Sequence, residues 1–225
     1  LAVEADVSAN NLAKQGMMLL QKGMYQGEES LKNNLSEKTF QLAEKKLKDL
    51  GMDIEGFQKF KPWMVAMTIS SLELIKLGFN PNLGVDKYFL EKASGKKEIA
   101  ELEGIEFQIN LFESFSKEEN DKFLVSTIME ADQTAKEIAV LVKAWANGDI
   151  EQAEKSINEN IHKYPELEAV YKKLLDIRNE NMVEKIITYL KSDKKYFVIV
   201  GAAHMIGKRG IVQLLQEKGY TVTQL

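Results

Sequence analysis

Tyr196-Phe197-Val198-Ile199-Val200 is an unbroken run of aromatic and β-branched residues that stops at Gly201 and leads into Ala202, Ala203 and His204. A strand with one solvated face alternates apolar and polar residues. One that does not alternate is covered on both faces, as the strands of parallel sheets are. Parallel strands require a crossover, usually a helix. A short helix is expected from about Arg209 to Lys218, with Gly219 in the C′ position where positive φ is usual. Tyr220-Thr221-Val222-Thr223-Gln224-Leu225 then alternates and reads as an edge strand. Strand, helix and strand in that order predict a right-handed βαβ unit. Leu1-Ala2-Val3-Glu4-Ala5 is a further short apolar run, interrupted by one carboxylate.

Between these ends the chain reads as helical. Asn11 to Met24 carries Leu12, Leu19 and Leu20. Ser36 caps a helix through Phe40, Ala43 and Leu47 that Gly51 stops. Pro62 at N1 opens a helix from Trp63 to Leu77, and Gly78 closes it. The strongest periodicity runs from about Lys117 to Asn147, where Leu124, Ile128, Ala131, Ala135, Ile138, Val142 and Trp145 are spaced by alternating fours and threes, which predicts one apolar face. Asp149 and Gln152 resemble a capping box for the next helix. A last helix is expected over Pro165–Leu190, and Asn80 to Gly84 is a turn. The fold class is therefore α/β: a small, largely parallel sheet flanked by helices, with a large helical middle section. No linker, repeat or low-complexity segment divides the 225 residues, which read as one domain, 1–225.

Composition removes several functions. Lys and Arg number 30 against 34 Asp and Glu, a net charge of −4. Such a chain has no overall attraction to phosphate backbones, so nucleic acid is not an expected partner. With no cysteine, disulfide scaffolds, thiolate metal sites and a Cys nucleophile are excluded. The longest apolar stretches fall far short of the roughly 18 residues of a spanning helix, so the chain is not expected to be transmembrane. It opens at Leu1 rather than Met, which reads as a processed or shortened N-terminus, and no signal peptide is recognised.

Three side chains stand where chemistry is expected. His204 follows the buried strand after three small residues, and ligands of parallel sheets sit beyond the carboxyl ends of strands. It is placed to act as metal ligand or general base, the alternative being a core-capping histidine. Glu4 sits in the first apolar run with Asp6 two residues on, on the same face if the strand continues. Such carboxylates hold hard cations or move protons, unless Glu4 is simply solvated at a frayed end. Arg178 lies on the apolar stripe of Leu167, Tyr171, Leu174, Met182 and Ile186. It must pair with a carboxylate or line a cavity, or else snorkel to solvent from a rim position. The other histidine, His162, reads as a surface residue at a polar helix end. Zincin, P-loop, dinucleotide and α/β-hydrolase motifs are missing. With two histidines and no cysteine, any metal site here is carboxylate-rich or incomplete.

The segment from Phe197 to Gly207, running on through Gly210 to Leu215 and Gly219 to Val222, resembles the C-terminal signature of the TraB/GumN family, which includes the Tiki-type membrane metalloproteases. Leu1 to Asp6 is similar to that family's early Glu-bearing strand, and Gly84 to Phe89 to its Gly-Ile-Asp segment. Leu102 to Gln108 is similar to its Leu-Glu-Thr…Glu-Gln segment, with Gly104 in place of Thr. Arg178-Asn179 matches its Arg-Asn pair. The resemblance implies a metal-dependent hydrolase, peptidase-like, acting on a peptide or small-molecule substrate with a divalent ion of Mn or Co type. It implies Glu4 and His204 as metal ligands, Glu4, His204 and Arg178 as the catalytic set, and Gly201 as part of the binding loop. It also implies a first Gly-x-x-His motif, a strand and a helix upstream of Leu1, and an extracytoplasmic location in preference to a cytoplasmic one. The alternative on the same fold is a non-catalytic module that binds a peptide or small ligand. The oligomeric state is left open.

Overall fold

The computed structural model of the chain describes residues 1–131 and 134–225, with all their side chains except those at positions 10, 134 and 160–162. Its sheet is small. Strand β1 (Ala2–Val3) is central and fully buried, with β2 (Ala100–Glu101) on one side and β3 (Val198–Ile199) on the other. Both pairings are parallel, in the register Ala2 to Ala100 and Ala2 to Val198. The ladder runs slightly past the strands: Ala2 donates to the Phe197 carbonyl at 2.8 Å, and Leu102 donates to that of Val3 at 2.7 Å. All three carboxyl ends therefore open on one side, at Glu4, at Glu103 and at Gly201.

The predicted C-terminal strand is corrected. Residues 220–225 form no strand, so no βαβ unit closes there, and the third strand is Ala100–Glu101, which sequence periodicity does not mark. The alternation at the terminus is real but has another cause. Tyr220 and Val222 lay one face on the cluster of Met182, Val183 and Ile186 without joining the ladder. The run before Gly201 also forms a shorter strand than expected. Tyr196 stacks on Tyr189 with centroids 4.2 Å apart, and Phe197, half exposed, meets Phe89 edge-on. Aromatic packing rather than a second covering layer explains the apolar character of those two positions.

The helices follow the sequence closely where caps and period agree. They are α1 (Ala9–Gly23), α2 (Leu31–Asn34), α3 (Glu37–Asp49), α4 (Pro62–Lys76), α5 (Val85–Ala93) and α6 (Ile105–Glu113). The Ser36 hydroxyl accepts from the Thr39 amide as the cap of α3, and Gly51 ends it at φ +77°. Next come α7 (Lys117–Ala131), α8 (Thr134–Asn147) and α9 (Ile150–Lys163). Leu31, Leu47, Val65, Ile69 and Leu124 are fully buried where α2, α3, α4 and α7 meet.

Two helical expectations change. The apolar stripe over Lys117–Asn147 spans α7 and α8, and its continuity at 132–133 lies outside the described residues. Its halves differ. Leu124 and Ile128 are buried, whereas Val142 is 45% and Trp145 62% exposed. The segment expected as one helix over Pro165–Leu190 is a 3-10 turn at Pro165–Leu167, then α10 (Glu168–Tyr171), a π turn at Lys172–Asp176 and α11 (Ile177–Leu190). A π turn inserts one residue and re-aims the side chains beyond it. Two residues after it comes Arg178. The chain ends with α12 (Ala202–Met205) and α13 (Ile211–Glu217). Among the described residues no helix is long and apolar enough to cross a membrane.

Candidate functional site

Glu4, Glu103 and His204 arrive at one place because three parallel strands end together and α11 passes across them. Glu4 follows β1 directly. Its Oε1 accepts from the Gly201 amide at 2.6 Å, and its Oε2 accepts from Arg178 Nη2 at 2.7 Å. Glu103, whose side chain is only 1% exposed, takes Arg178 in a fork: Nε donates at 3.0 Å and Nη2 at 2.7 Å. Arg178 Nη1 donates to the Leu174 carbonyl inside the π turn at 3.2 Å. Four of the five guanidinium N–H groups are thus engaged, leaving one on Nη1. The guanidinium charge is opposed by burial but held by Glu103 first and Glu4 second, so the Arg178 pKa lies above its ordinary value. Gln108 spans both carboxylates, at 3.1 Å from Glu103 and 3.4 Å from Glu4.

The backbone beneath Glu4 is fixed as firmly. Its carbonyl accepts from the amides of Glu103 and Gly104 at 2.9 and 2.8 Å. Gly104 takes φ +94° there, a conformation that the Thr expected from the family pattern would adopt only under strain. At Gly201 a Cβ would stand 3.4 Å from Glu4 Oε1 and 3.6 Å from His204 Cδ2, at ordinary contact distance.

His204 is buried, and its tautomer is set by its neighbours. Asn179 Nδ2 donates to the Arg209 carbonyl at 2.7 Å, which turns Asn179 Oδ1 toward His204 Nδ1 at 2.6 Å. Because an amide oxygen only accepts, Nδ1 must carry the proton. Burial pushes the His204 pKa below its ordinary value; the Arg178 charge adds to this, and Glu4 and Glu103 oppose it. The ring is then neutral at pH 7, with the Nε2 lone pair facing Glu4 Oε2 across 3.8 Å. That separation is too long for a direct hydrogen bond between them. Two carboxylates around one guanidinium leave the cluster with an excess negative charge, of the sign that attracts a cation. Nitrogen and carboxylate donors suit a borderline or hard divalent ion, and the Asn179 bond to Nδ1 is the outer support such a histidine ligand usually has. Among the described residues, however, no group of three or more His, Asp or Glu side chains converges as a metal cage would.

The structure brings all four sequence-derived residues, Glu4, Arg178, Gly201 and His204, into contact. Asp6 stands apart: it accepts from the Ser8 amide and from Asn11 at the start of α1. The side chain of His162 lies outside the described residues. Sequence reading does not single out Glu103, Asn179 or Gln108 as site residues. The requirement that an inward-facing Arg178 find a carboxylate points to a residue such as Glu103 without saying which.

The TraB/PrgY/gumN family model matches residues 1–224. A Metalloprotease TIKI homolog of Nematostella vectensis is 30% identical over 78 residues, which are 34% of this chain and 16% of that protein. The chain thus covers a small part of that relative. No solved structure matches. With the family match running over nearly every residue, including all those that meet around Glu4, the chain belongs to the TraB/PrgY/gumN family.

Proposed function

We propose that the Glu4–His204 face is part of a metal-dependent hydrolytic centre, peptidase-like in its chemistry. One observation carries the reading: His204 Nε2 and Glu4 Oε2 face each other at 3.8 Å, the histidine oriented by Asn179 and the carboxylate by Arg178 and Gln108. His204 Nε2 and Glu4 would be the protein ligands. A divalent ion of Mn or Co type held there would activate water or polarise a carbonyl. Asn179 keeps the His204 proton on Nδ1. Arg178 orients Glu4 and Glu103, and its remaining Nη1–H is a donor for negative charge that develops on a substrate oxygen. Glu4 Oε2 is the acceptor for a proton released at the site.

The test is calorimetric titration of Mn²⁺ and Co²⁺ into the wild type and into His204→Ala at fixed pH, followed by peptide hydrolysis assays. The reading expects binding in the wild type that His204→Ala loses. Equal binding by both proteins would overturn it. A second reading, a module that binds a peptide or small ligand without catalysis, is favoured by the lack, among the described residues, of a group of three or more metal-ligating side chains. A folded wild type that takes neither metal would select it.

A further inference from the structure

The one-turn helix α12 has two sides. His204 is buried toward Asn179 and Glu4, while Ala202, Ala203 and Met205 form one wall of an open cavity of about 530 Å³. Val142, Trp145 and Ala153, on α8 and α9, form the opposite wall. The volume lies within the roughly 300–1,000 Å³ usual for ligand sites, and the lining is apolar, as in such sites. Gly201 and Ala202 are both exposed, and Ala202 lines the cavity while the amide of the neighbouring Gly201 holds Glu4. The exposed second half of the apolar stripe, Val142 and Trp145, finds its use here rather than in the core.

We infer that this cavity is a specificity pocket for an aliphatic or aromatic side chain of a polypeptide bound at the Glu4–His204 face, an assignment that rests on the hydrolase reading above. Charge selects this occupant over a fatty acid. The only charged side chain lining the cavity among the described residues is Asp149, whose Oδ1 accepts from the Gln152 amide. A fatty-acid carboxylate would meet that like charge and no cation, whereas a side chain flanked by peptide groups brings no charge. The walls that carry Ala202 and Ala203 are small, which leaves the space to the ligand.

The chain carries its own reporter. Of its 2 tryptophans, Trp63 is 1% exposed and stacked on Phe112, while Trp145 stands 62% exposed at the pocket. Titration with acetyl-Gly-Gly-X-Gly-Gly-amide should blue-shift the tryptophan emission when X is Leu or Phe. Affinities should be about tenfold or more above those for X = Gly or Asp. Trp145→Phe should remove the signal. Ala153→Phe, which fills the cavity, should abolish Leu-peptide binding measured by calorimetry. Val142→Gln, at the exposed rim where folding is not at stake, should weaken it about tenfold. Equal affinity for all four peptides, or wild-type binding in both Ala153→Phe and Val142→Gln, would overturn the pocket, even in a protein that binds metal. Octanoate binding as tightly as the Leu peptide would overturn the choice of a peptide side chain. A Leu-peptide shift in a protein that binds no metal would support the pocket while removing the hydrolase reading.

Discussion

The helical middle and the sheet end of this molecule are both buried, for opposite reasons. Around Leu31, Leu47, Val65, Ile69 and Leu124 the groups removed from water are apolar, and burial itself stabilises. At the sheet end the groups removed from water are Glu103, Arg178, His204 and most of Glu4, and burial costs free energy that their mutual bonds must offset. The first kind of burial holds a fold together. The second holds charged and basic atoms in fixed orientation, which a reaction centre needs and a core does not.

The difference should appear most strongly when one charge is removed. Arg178→Met leaves Glu4 and Glu103 facing each other without a cation and should cost about 3–5 kcal/mol in urea unfolding. Adding Glu103→Leu should recover part of that loss, because the pair is replaced as a unit. A core truncation has no such remedy. Leu124→Ala should cost about 2–5 kcal/mol, the transfer free energy plus the cavity left behind. If Arg178→Met were harmless, the two regions would not differ in the way described.

A third test uses pH. The His204 pKa is depressed in the folded protein relative to its ordinary 6.5. As pH falls below about 6.5 the unfolded chain takes up a proton that the folded chain refuses. Stability should therefore be fully present above that value and decline below it, by up to about 1.4 kcal/mol per pH unit, until folded His204 itself titrates. His204→Gln should flatten this part of the profile, while Leu124→Ala should shift the whole curve without changing its slope. The smallest effect is expected at the pocket rim: Val142→Gln should change unfolding free energy by no more than about 0.5 kcal/mol. Measured beside Leu124→Ala, it would separate the two halves of one apolar stripe.

That stripe also shows how far the fold is legible in the sequence. Spacing reports which residues share a face of a helix. It does not report what covers the face, and so Leu124 and Val142 look equivalent. Caps and stops are legible at Ser36, Gly51, Pro62 and Gly219, because the physics that sets them is local. The sheet is less so. Two-residue strands leave almost no pattern, so nothing marks Ala100–Glu101, and the alternating C-terminus reads as a strand that does not form. At the site, Glu4, Arg178 and His204 stand out as polar residues in apolar settings. Glu103 and Asn179 do not, because their roles depend on which side chains they meet across 75 and 25 residues of sequence.

Everything proposed for the site depends on His204 being neutral, with its proton on Nδ1 and its Nε2 lone pair turned to Glu4. Nitrogen-15 NMR of the imidazole at pH 7, with Asn179→Ala as comparison, reads that state without an assay of function. The wild type should show a neutral Nδ1–H tautomer, and the variant should lose that preference. An imidazolium, or a neutral ring protonated on Nε2, would contradict the assignment.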